Sequence, residues 1–352
     1  MIVPAAAPES IAACARAIRA GDLIGLPTET VYGLAADAAD DAAVAKIFAA
    51  KGRPATHPLI VHVSAHDGGM SAVAHFCAKV PPFAQQLMTA FWPGPLTLIL
   101  PRRDGVAGAA AGGQGSIGLR CPSHPAAQAL LSALRKDTGN EGEVWGLAAP
   151  SANRFGRVSP TTAAHVQSEL GEALLILDGG PCDVGIESTI IDCTRGQPVL
   201  LRPGAITPAQ VQAACGLKVL LKKELPAQAA PAPRAAGTLD SHYAPRARVR
   251  LLRAPDLQLA LDAVQGARQV ASAPDAAADA RPVLAVWSRC EVMAVAGALH
   301  HAMPDDAVLA ARQLFAQLRA FDALGVTEIW VETPPDDSAW DAVRDRLQRA
   351  AH

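Results

Sequence analysis

The sequence has little of several features that would narrow its function at once. Of its 352 residues only 18% are charged and 4% are aromatic, and the formal net charge is −2. The chain as a whole therefore shows no positive excess that would indicate a nucleic-acid or membrane partner, and any such contact would need a local patch. No apolar stretch is long enough to cross a bilayer, and no secretory leader is recognisable. We expect a cytoplasmic protein without a membrane partner.

Metal and nucleotide signatures are also missing. The seven cysteines have no CxxC spacing, which argues against zinc or disulfides and predicts buried, reduced thiols. The sequence contains neither the GxxxxGK[ST] of a P-loop nor the GxSxG of many serine hydrolases. "GQGSIG" at 113–118 matches the dinucleotide motif GxGxxG in letters. Because a strand and not a helix is predicted to follow it, we interpret the match as chance.

The chain has ample material for two domains. Half of its residues are hydrophobic, and its length exceeds that of a typical single domain. Helical and strand patterns interleave over 1–216, which predicts a mixed α/β domain. Residues 217–246 are rich in Ala and Pro and predict an extended linker. Strands and helices alternate over 247–352, which predicts a small Rossmann-like domain with a parallel sheet, and 272–282 has the composition of a surface loop.

Polar side chains collect where the predicted strands of the first domain end. "DLIGLPTETVYG" at 22–33 passes from a buried strand directly into two threonines, a glutamate and a tyrosine. Similar groups lie in "KGRPATHPLIVHV", "GSIGLR", "PSANRFGRVSP", "GIESTI" and "LLRPG". Each alone has an ordinary explanation, such as a helix cap or a solvated turn charge. Together, these cations and hydroxyls predict a site for a polyanion, and phosphate is the natural candidate.

At these motifs the sequence resembles the YrdC-type domain of the L-threonylcarbamoyladenylate synthases. The blocks that carry the resemblance are "GLPTETVYGLAADA", "KGRPATHPLIVHV", "FWPGPLTLIL", "LAAPSANRFGRVSPT", "GIESTIID" and "LLRPGAIT". "SHYAP" and the domain after it are similar to the two-domain version of that enzyme, so the resemblance covers nearly the whole chain. It implies a twisted mixed sheet with flanking helices around a basic cavity.

The resemblance also implies an activity. Members of the family make L-threonylcarbamoyl-AMP from L-threonine, bicarbonate and ATP with Mg²⁺, and they release pyrophosphate. The product supplies the threonylcarbamoyl group of adenosine 37 in tRNA, which implies hand-over to the transfer machinery. Direct contact with tRNA is left open.

Individual site residues follow from the same resemblance. It implies an L-threonine site formed by Thr30, His62, Arg120, Ala149 and Ser188. It implies an ATP site formed by Arg53, His57, Ser116, Ser151, Ser159, Arg202 and Tyr243. With this resemblance we expect the 217–246 linker to fold over the active site, so that Tyr243 meets the nucleotide. Catalysis is expected from charge neutralisation by Lys51, Arg53 and Arg202 with the Mg²⁺ of ATP, and no metal ligands are predicted in the protein. Many relatives carry Asn at the position of His57, and the linker lacks the Pro-Gly-Met of many relatives.

Alternatives stay open at this point. Glu29 and Glu187 are candidates for a general base, or each braces a turn or an arginine. A related domain in hydrogenase-maturation carbamoyltransferases performs a similar adenylation, although those proteins add zinc-binding CxxC modules that this sequence lacks. A non-catalytic RNA-binding module is the remaining alternative, because a basic concavity can hold a phosphate backbone.

Overall fold

The structure, a computed structural model, describes residues 1–135, 142–225, 232–237, 242–271 and 283–352. Contacts between Cα atoms group the chain into two compact units. The first contains Met1–Phe155 and Ser159–Thr238, and the second contains Gly156–Val158 and Leu239–His352. The predicted boundaries at 216 and 246 stay predictions. Residues 226–231 and 238–241 of the predicted linker, and the loop predicted at 272–282, lie outside the described residues.

The first unit is built on one mixed sheet. Its strands are β1 (Ile2–Pro4), β2 (Ile24–Leu26), β3 (Gly33–Asp37), β4 (Ile60–His62), β5 (Leu96–Pro101), β6 (Ser116–Arg120), β7 (Leu147–Ala148), β8 (Leu175–Asp178), β9 (Thr189–Asp192), β10 (Val199–Arg202) and β11 (Leu220–Leu221). The order across the sheet is β1-β8-β2-β3-β7-β4-β6-β5-β9-β10-β11. Parallel pairs such as β4–β6 and β5–β9 alternate with antiparallel pairs such as β2–β3 and β5–β6. This mixture confirms the predicted fold class.

Helices flank this sheet. They are α1 (Pro8–Arg19), α2 (Asp41–Lys51), α3 (Met70–Phe76), α4 (Pro82–Phe91), α5 (Pro125–Leu134), α6 (Ala163–Leu170) and α7 (Pro208–Cys215). Leu34 and Ala36 of β3 belong to one core cluster and Ala35 to another, as the two-residue period of a strand requires. The cluster around Ala35 includes buried residues of α1 and α5, and the other includes buried residues of α2 and α4.

The end of α2 places two predicted phosphate-site cations. The side chain of Asp40 accepts hydrogen bonds from Ala42 N and Ala43 N and so starts the helix. Lys51 is the last helical residue, and Gly52 ends the helix in the left-handed region with φ of 62°. Arg53 therefore lies directly beyond the C-cap, and the two cations are held by a rigid element.

The second unit contains a parallel sheet, as predicted. Its elements are β12 (Arg248–Leu252), α8 (Ala254–Ala271), β13 (Leu284–Ser288), β14 (Ala298–Ala302), α9 (Ala307–Ala323), β15 (Glu328–Glu332) and α10 (Asp341–Ala350). The strand order is β12-β15-β13-β14, and every pair is parallel. The apolar face of α9, with Leu314, Leu318 and Phe321, is buried.

All seven cysteines lie within the described residues and are free thiols, and all but Cys290 are buried. Burial raises the pKa of Cys77 and of Cys121 to about 12, so these thiols are protonated at neutral pH.

In the part of the chain that the structure describes, no helix combines the length and the apolar character needed to cross a bilayer.

The turn after β10 packs closely against the start of β9. A Cβ on Gly204 would lie 2.8 Å from the carbonyl carbon of Ser188. We expect Gly204→Ala to reduce the free energy of unfolding by about 1–3 kcal/mol, because the backbone must move to relieve this overlap.

Urea denaturation followed by circular dichroism measures the change. Gly108→Ala is the matched control, since nothing lies within 4 Å of a Cβ there. Equal stability of the two variants would contradict the close approach.

Candidate active site

The turn between β2 and β3 is ordered by its own hydroxyls. Thr28 Oγ1 accepts hydrogen bonds from the main-chain N of Thr30 at 3.3 Å and of Val31 at 3.2 Å. It also lies 2.9 Å from Thr30 Oγ1. Such local bonds are the typical role of a threonine in a turn. Thr28 therefore shapes the turn, and Thr30, fully buried, presents its hydroxyl to the neighbouring strands.

Tyr32 anchors the same turn to the end of β8. Its hydroxyl donates to the Gly180 carbonyl at 2.8 Å and accepts from Gly179 N at 3.1 Å. It also lies 3.2 Å from Asp178 Oδ1. Burial, first, and the nearby Asp178 carboxylate raise the pKa of Tyr32. The phenol is thus a protonated structural brace.

Arg120 is the buried charge at the centre of the predicted threonine site. It ends β6 and is only 3% exposed. One guanidinium nitrogen donates to Thr30 Oγ1 at 2.7 Å, and the other lies 2.7 Å from Glu29 Oε1. Burial by itself would raise the pKa of Glu29, but the guanidinium of Arg120 holds it below its ordinary value. Of the two roles considered for Glu29, the geometry is that of a carboxylate bracing an arginine.

His62 ends β4 beside Arg120, because the two residues are register partners in the parallel β4–β6 pair. Burial, first, and the positive charge of Arg120 lower the pKa of His62 to about 3. Its imidazole is therefore neutral at physiological pH. Within the described residues its Nδ1 has no hydrogen-bond partner. The ring thus offers an uncharged polar group next to a buried cation.

Ala149 and Ser188 complete the predicted threonine set from two sides. Ala149 N donates to the Ile60 carbonyl of β4 at 3.0 Å. Ser188 Oγ lies 2.7 Å from Thr97 Oγ1, and Thr97 is the register partner of Arg120 across β5 and β6. The fold therefore gathers Thr30, His62, Arg120, Ala149 and Ser188 around adjoining strand ends.

Lys51 is buried at the end of α2. Its Nζ donates to the main-chain carbonyls of Ser151, at 2.5 Å, and Asn153. Burial, first, and the neighbouring Arg53 lower the pKa of Lys51 well below its ordinary value. Lys51 thereby fastens the loop that carries Ser151, and its contact with phosphates stays a prediction.

Arg53 and His57 lie together beside Phe155. An Arg53 nitrogen donates to the Pro58 carbonyl at 2.9 Å, and its guanidinium carbon is 5.8 Å from the centre of the Phe155 ring. The His57 ring meets Phe155 edge-on, with centroids 5.6 Å apart. Burial, then Arg53 and Arg234, lower the pKa of His57. These two predicted ATP residues are therefore neighbours.

Arg202 joins the two predicted substrate sites. Its Nε donates to the Ser188 carbonyl at 3.0 Å, and a terminal nitrogen donates to Ser188 Oγ at 3.1 Å. The other terminal nitrogen donates to the Ala236 carbonyl at 3.0 Å. A predicted ATP residue thus holds a predicted threonine residue in place.

The remaining predicted ATP residues are placed in different surroundings. Ser159 is buried, and its hydroxyl donates to the Glu187 carboxylate, so Glu187 braces this serine. Ser116 starts β6 and lines a narrow cleft beside Pro58 and Gln114. Tyr243 belongs to the second unit, where its buried ring lies 5.2 Å from Phe315. Its contact with ATP stays a prediction.

The structure adds polar residues that the sequence did not single out. Thr97 is fully buried inside β5 and touches Ser188. The signal was a hydroxyl in the otherwise apolar "PLTLIL". Gln114 lies in the glycine-rich loop before β6, and its side-chain amide forms hydrogen bonds with the main chain of Arg234. Composition alone did not distinguish it from a solvated loop residue.

Comparison with known proteins assigns both parts of the chain. Residues 16–204 match the family described as telomere recombination, which groups Sua5, YciO and YrdC proteins. Residues 206–352 match the C-terminal domain of threonylcarbamoyl-AMP synthase. The threonylcarbamoyl-AMP synthase of Bacillus subtilis is 37% identical over 97% of this chain and 92% of its own length. That of Pyrococcus abyssi is 33% identical over 95% of this chain and 92% of its own.

A solved structure agrees over the full length. The crystal structure of P. abyssi Sua5 complexed with L-threonine has a TM-score of 0.81 and 32% identity, and the match covers 100% of this chain and 97% of that one. Fold and matches define the class as a nucleotidyltransferase with a YrdC-type catalytic unit. The chain belongs to the Sua5/YciO/YrdC family, in its two-domain form, and the resemblance seen in the motifs is confirmed.

The buried pair of Glu29 and Arg120 predicts a pH-dependent stability. Removing one partner of a buried ion pair typically costs about 3–5 kcal/mol, so Glu29→Gln should lower the free energy of unfolding by about that amount near pH 7. The folded-state pKa of Glu29 lies below the ordinary value of roughly 4.3. The stabilisation is therefore fully present above that ordinary value and is lost as the pH falls through the folded-state pKa.

Urea unfolding of both proteins from pH 7 downward measures this difference, which should shrink in acid. The control is Glu143→Gln, whose exposed pair with Arg135 spans 3.2 Å and should contribute only about 0–1 kcal/mol. A difference for Glu29→Gln as small as that of the control would contradict the buried pair.

Proposed function

We propose that this protein synthesises L-threonylcarbamoyl-AMP from L-threonine, bicarbonate and Mg·ATP and releases pyrophosphate. The observation that carries the proposal is Arg202, whose guanidinium fastens Ser188 of the predicted threonine site while extending toward the cleft beside Ser116. A site for a small amino acid and a site for a polyanion thus share one arginine. The L-threonine in the related P. abyssi structure supports the assignment of the first.

The threonine side is suited to a zwitterion. Arg120 supplies a positive charge for a carboxylate, and Glu29 keeps the local charge balanced. Thr30 and the neutral His62 supply hydrogen-bonding groups of either polarity, which can meet the hydroxyl or amine. A buried site of this kind favours ligands that form hydrogen bonds with its polar groups, because a buried polar group without a partner costs free energy.

The phosphate side is suited to a triphosphate. Arg53 and Arg202 present planar, permanently charged guanidinium groups, which match phosphate oxygens bidentately. The Mg²⁺ that accompanies ATP belongs to the substrate and shares the task of neutralising its charge. Lys51 holds the loop of Ser151 against this region. Positioning and charge neutralisation are the contributions expected of the protein in phosphoryl chemistry.

The reaction proceeds in two bond-forming steps. The threonine amine, after losing a proton from its ammonium form, bonds to the carbon of carbon dioxide with release of a second proton, or to the carbon of bicarbonate with release of water, and gives a carbamate. A carbamate oxygen then bonds to the α-phosphorus of ATP as the bond to the bridging oxygen breaks and pyrophosphate leaves. Both partners are anionic, so alignment beside arginines lowers the barrier. No dedicated general base is assigned, because Glu29 and Glu187 are engaged with Arg120 and Ser159.

The product points to a place in tRNA modification. A mixed anhydride of a carbamate and AMP is an activated acyl donor, and its consumer must transfer the threonylcarbamoyl group to a nucleophile. We propose that this is adenosine 37 of tRNA, reached by hand-over to a transfer machinery in the cytoplasm. Seven free thiols fit that reducing compartment.

The function is tested by pyrophosphate release from the full chain. Release should require ATP, threonine and bicarbonate together, and omission of any one should abolish it. Salt-sensitive RNA binding without turnover would instead support the RNA-binding module.

Arg53 and Arg202 should be essential to turnover. A charge-assisted hydrogen bond contributes about 1.5–3 kcal/mol, so Arg53→Ala or Arg202→Ala should reduce pyrophosphate release roughly ten- to a hundredfold or more. Circular dichroism checks the fold of each variant. Near-normal kinetics in both would remove these arginines from the phosphate site.

Substrate choice should depend on the hydroxyl more than on the methyl group. Serine lacks one methyl, which a pocket distinguishes by only about 1–3 kcal/mol. Valine keeps the shape of threonine but leaves the hydroxyl's buried partner unsatisfied, which costs more. In competition assays of kcat/KM, serine should be a poor substrate and valine a worse one. The reverse order would show that the pocket recognises shape alone.

A further inference from the structure

Residues 232–237 of the predicted linker lie against the nucleotide side of the first unit. Gln114 Oε1 accepts from Arg234 N at 2.9 Å, and Gln114 Nε2 donates to the Arg234 carbonyl at 3.2 Å. The Ala236 carbonyl accepts from Arg202 at 3.0 Å. The 232–237 segment is thus bound at both of its halves by side chains of the unit on which it lies.

The side chain of Arg234 lines a cleft, and two other guanidinium groups donate hydrogen bonds to residues that line the same cleft. Arg234, Ala235 and Ala236 line this cleft with Pro58, Gln114 and Ser116. Arg234 donates to the Gly112 carbonyl at 3.2 Å, while Arg53 donates to Pro58 and Arg202 to Ala236. Each guanidinium is therefore held by a main-chain carbonyl at or beside the cleft.

The charge of Arg234 reaches the predicted ATP residues. It contributes, after burial and Arg53, to the lowered pKa of His57. Within the described residues Arg234 makes no ion pair, and its side chain is exposed. Ser116 lines the cleft and also a second cavity of about 400 Å³, whose wall includes Gln114 and Pro233. A cation without a carboxylate partner, close to other cations, is favoured when an anion binds between them.

We propose that Arg234 is a phosphate-binding residue of the nucleotide site and that Gln114 positions it. The proposal rests on the proposed function and adds to the predicted ATP set a residue that the linker supplies. The side-chain amide of Gln114 forms two hydrogen bonds with the main chain of Arg234. These bonds fix the position from which the Arg234 guanidinium reaches the cleft. The competing explanation is that Arg234 only fastens the segment through Gly112.

The test is equilibrium binding of a non-hydrolysable ATP analogue and of adenosine to the full chain. Arg234→Ala should weaken the analogue about ten- to a hundredfold, as expected for loss of a charge-assisted contact. Affinity for adenosine, which lacks phosphates, should stay at the wild-type value. Arg234→Lys should recover part of the loss because it keeps the charge without the planar fork. The control is Arg103→Ala, an exposed arginine whose side chain donates to the Ala74 carbonyl and which should bind both ligands normally.

A double-mutant cycle tests the positioning role of Gln114. Gln114→Ala alone should weaken the ATP analogue, and in the Arg234→Ala background it should cause little further loss, since it acts through Arg234. Equal loss of adenosine and analogue in Arg234→Ala, or no loss of either, would overturn the proposal. Binding needs no turnover, so these results are separate from failure of the proposed function, which would show as absence of threonine-dependent pyrophosphate release by the wild type.

Discussion

The candidate site depends on the contacts that stabilise the buried guanidinium of Arg120. A cation taken out of water is stable only when its charge and its N–H groups are met nearby. Glu29 supplies the charge and Thr30 a hydroxyl, both from the turn between β2 and β3. The turn itself is held in place by Thr28, which forms hydrogen bonds within it, and by Tyr32 at its far end. The polar residues after Pro27 thus form one supporting arrangement around one charge.

A second arginine extends this arrangement to the predicted ATP residues. Arg202 donates hydrogen bonds to both the carbonyl and the hydroxyl of Ser188. Ser188 in turn contacts Thr97 of β5, the strand that pairs with the strand of Arg120. Hydrogen-bond networks of this kind hold their members in fixed positions because each bond restricts the next. The predicted amino-acid and phosphate sites are therefore positioned relative to each other by side chains on neighbouring strand ends. An attack of a carbamate oxygen on phosphorus needs that kind of fixed alignment.

Sequence reasoning predicted most elements and the gathering of polar residues at strand ends. Apolar strands such as β5 and capped helices such as α2 are specified by local pattern. β3 was not predicted, because four residues of its "GLAAD" are glycine, alanine or aspartate, which favour strands weakly. β14, "ALHHA", is largely exposed and lacks the hydrophobic alternation of a half-buried strand. The bonds of Lys51, Thr97 and Gln114 depend on contacts distant in sequence, which no local pattern encodes.

The most direct measurement of the central claim is the mass of the product made with carbon-13 bicarbonate. If the site joins threonine, bicarbonate and ATP, mass spectrometry should find threonylcarbamoyl-AMP that carries the carbon-13 label, with pyrophosphate in equal amount. Arg120→Met, which removes the buried cation but keeps an apolar chain of similar reach, should lose this product. An unlabelled threonyl-AMP, or AMP alone, would contradict the account, because it would show that the threonine amine never captured the one-carbon unit.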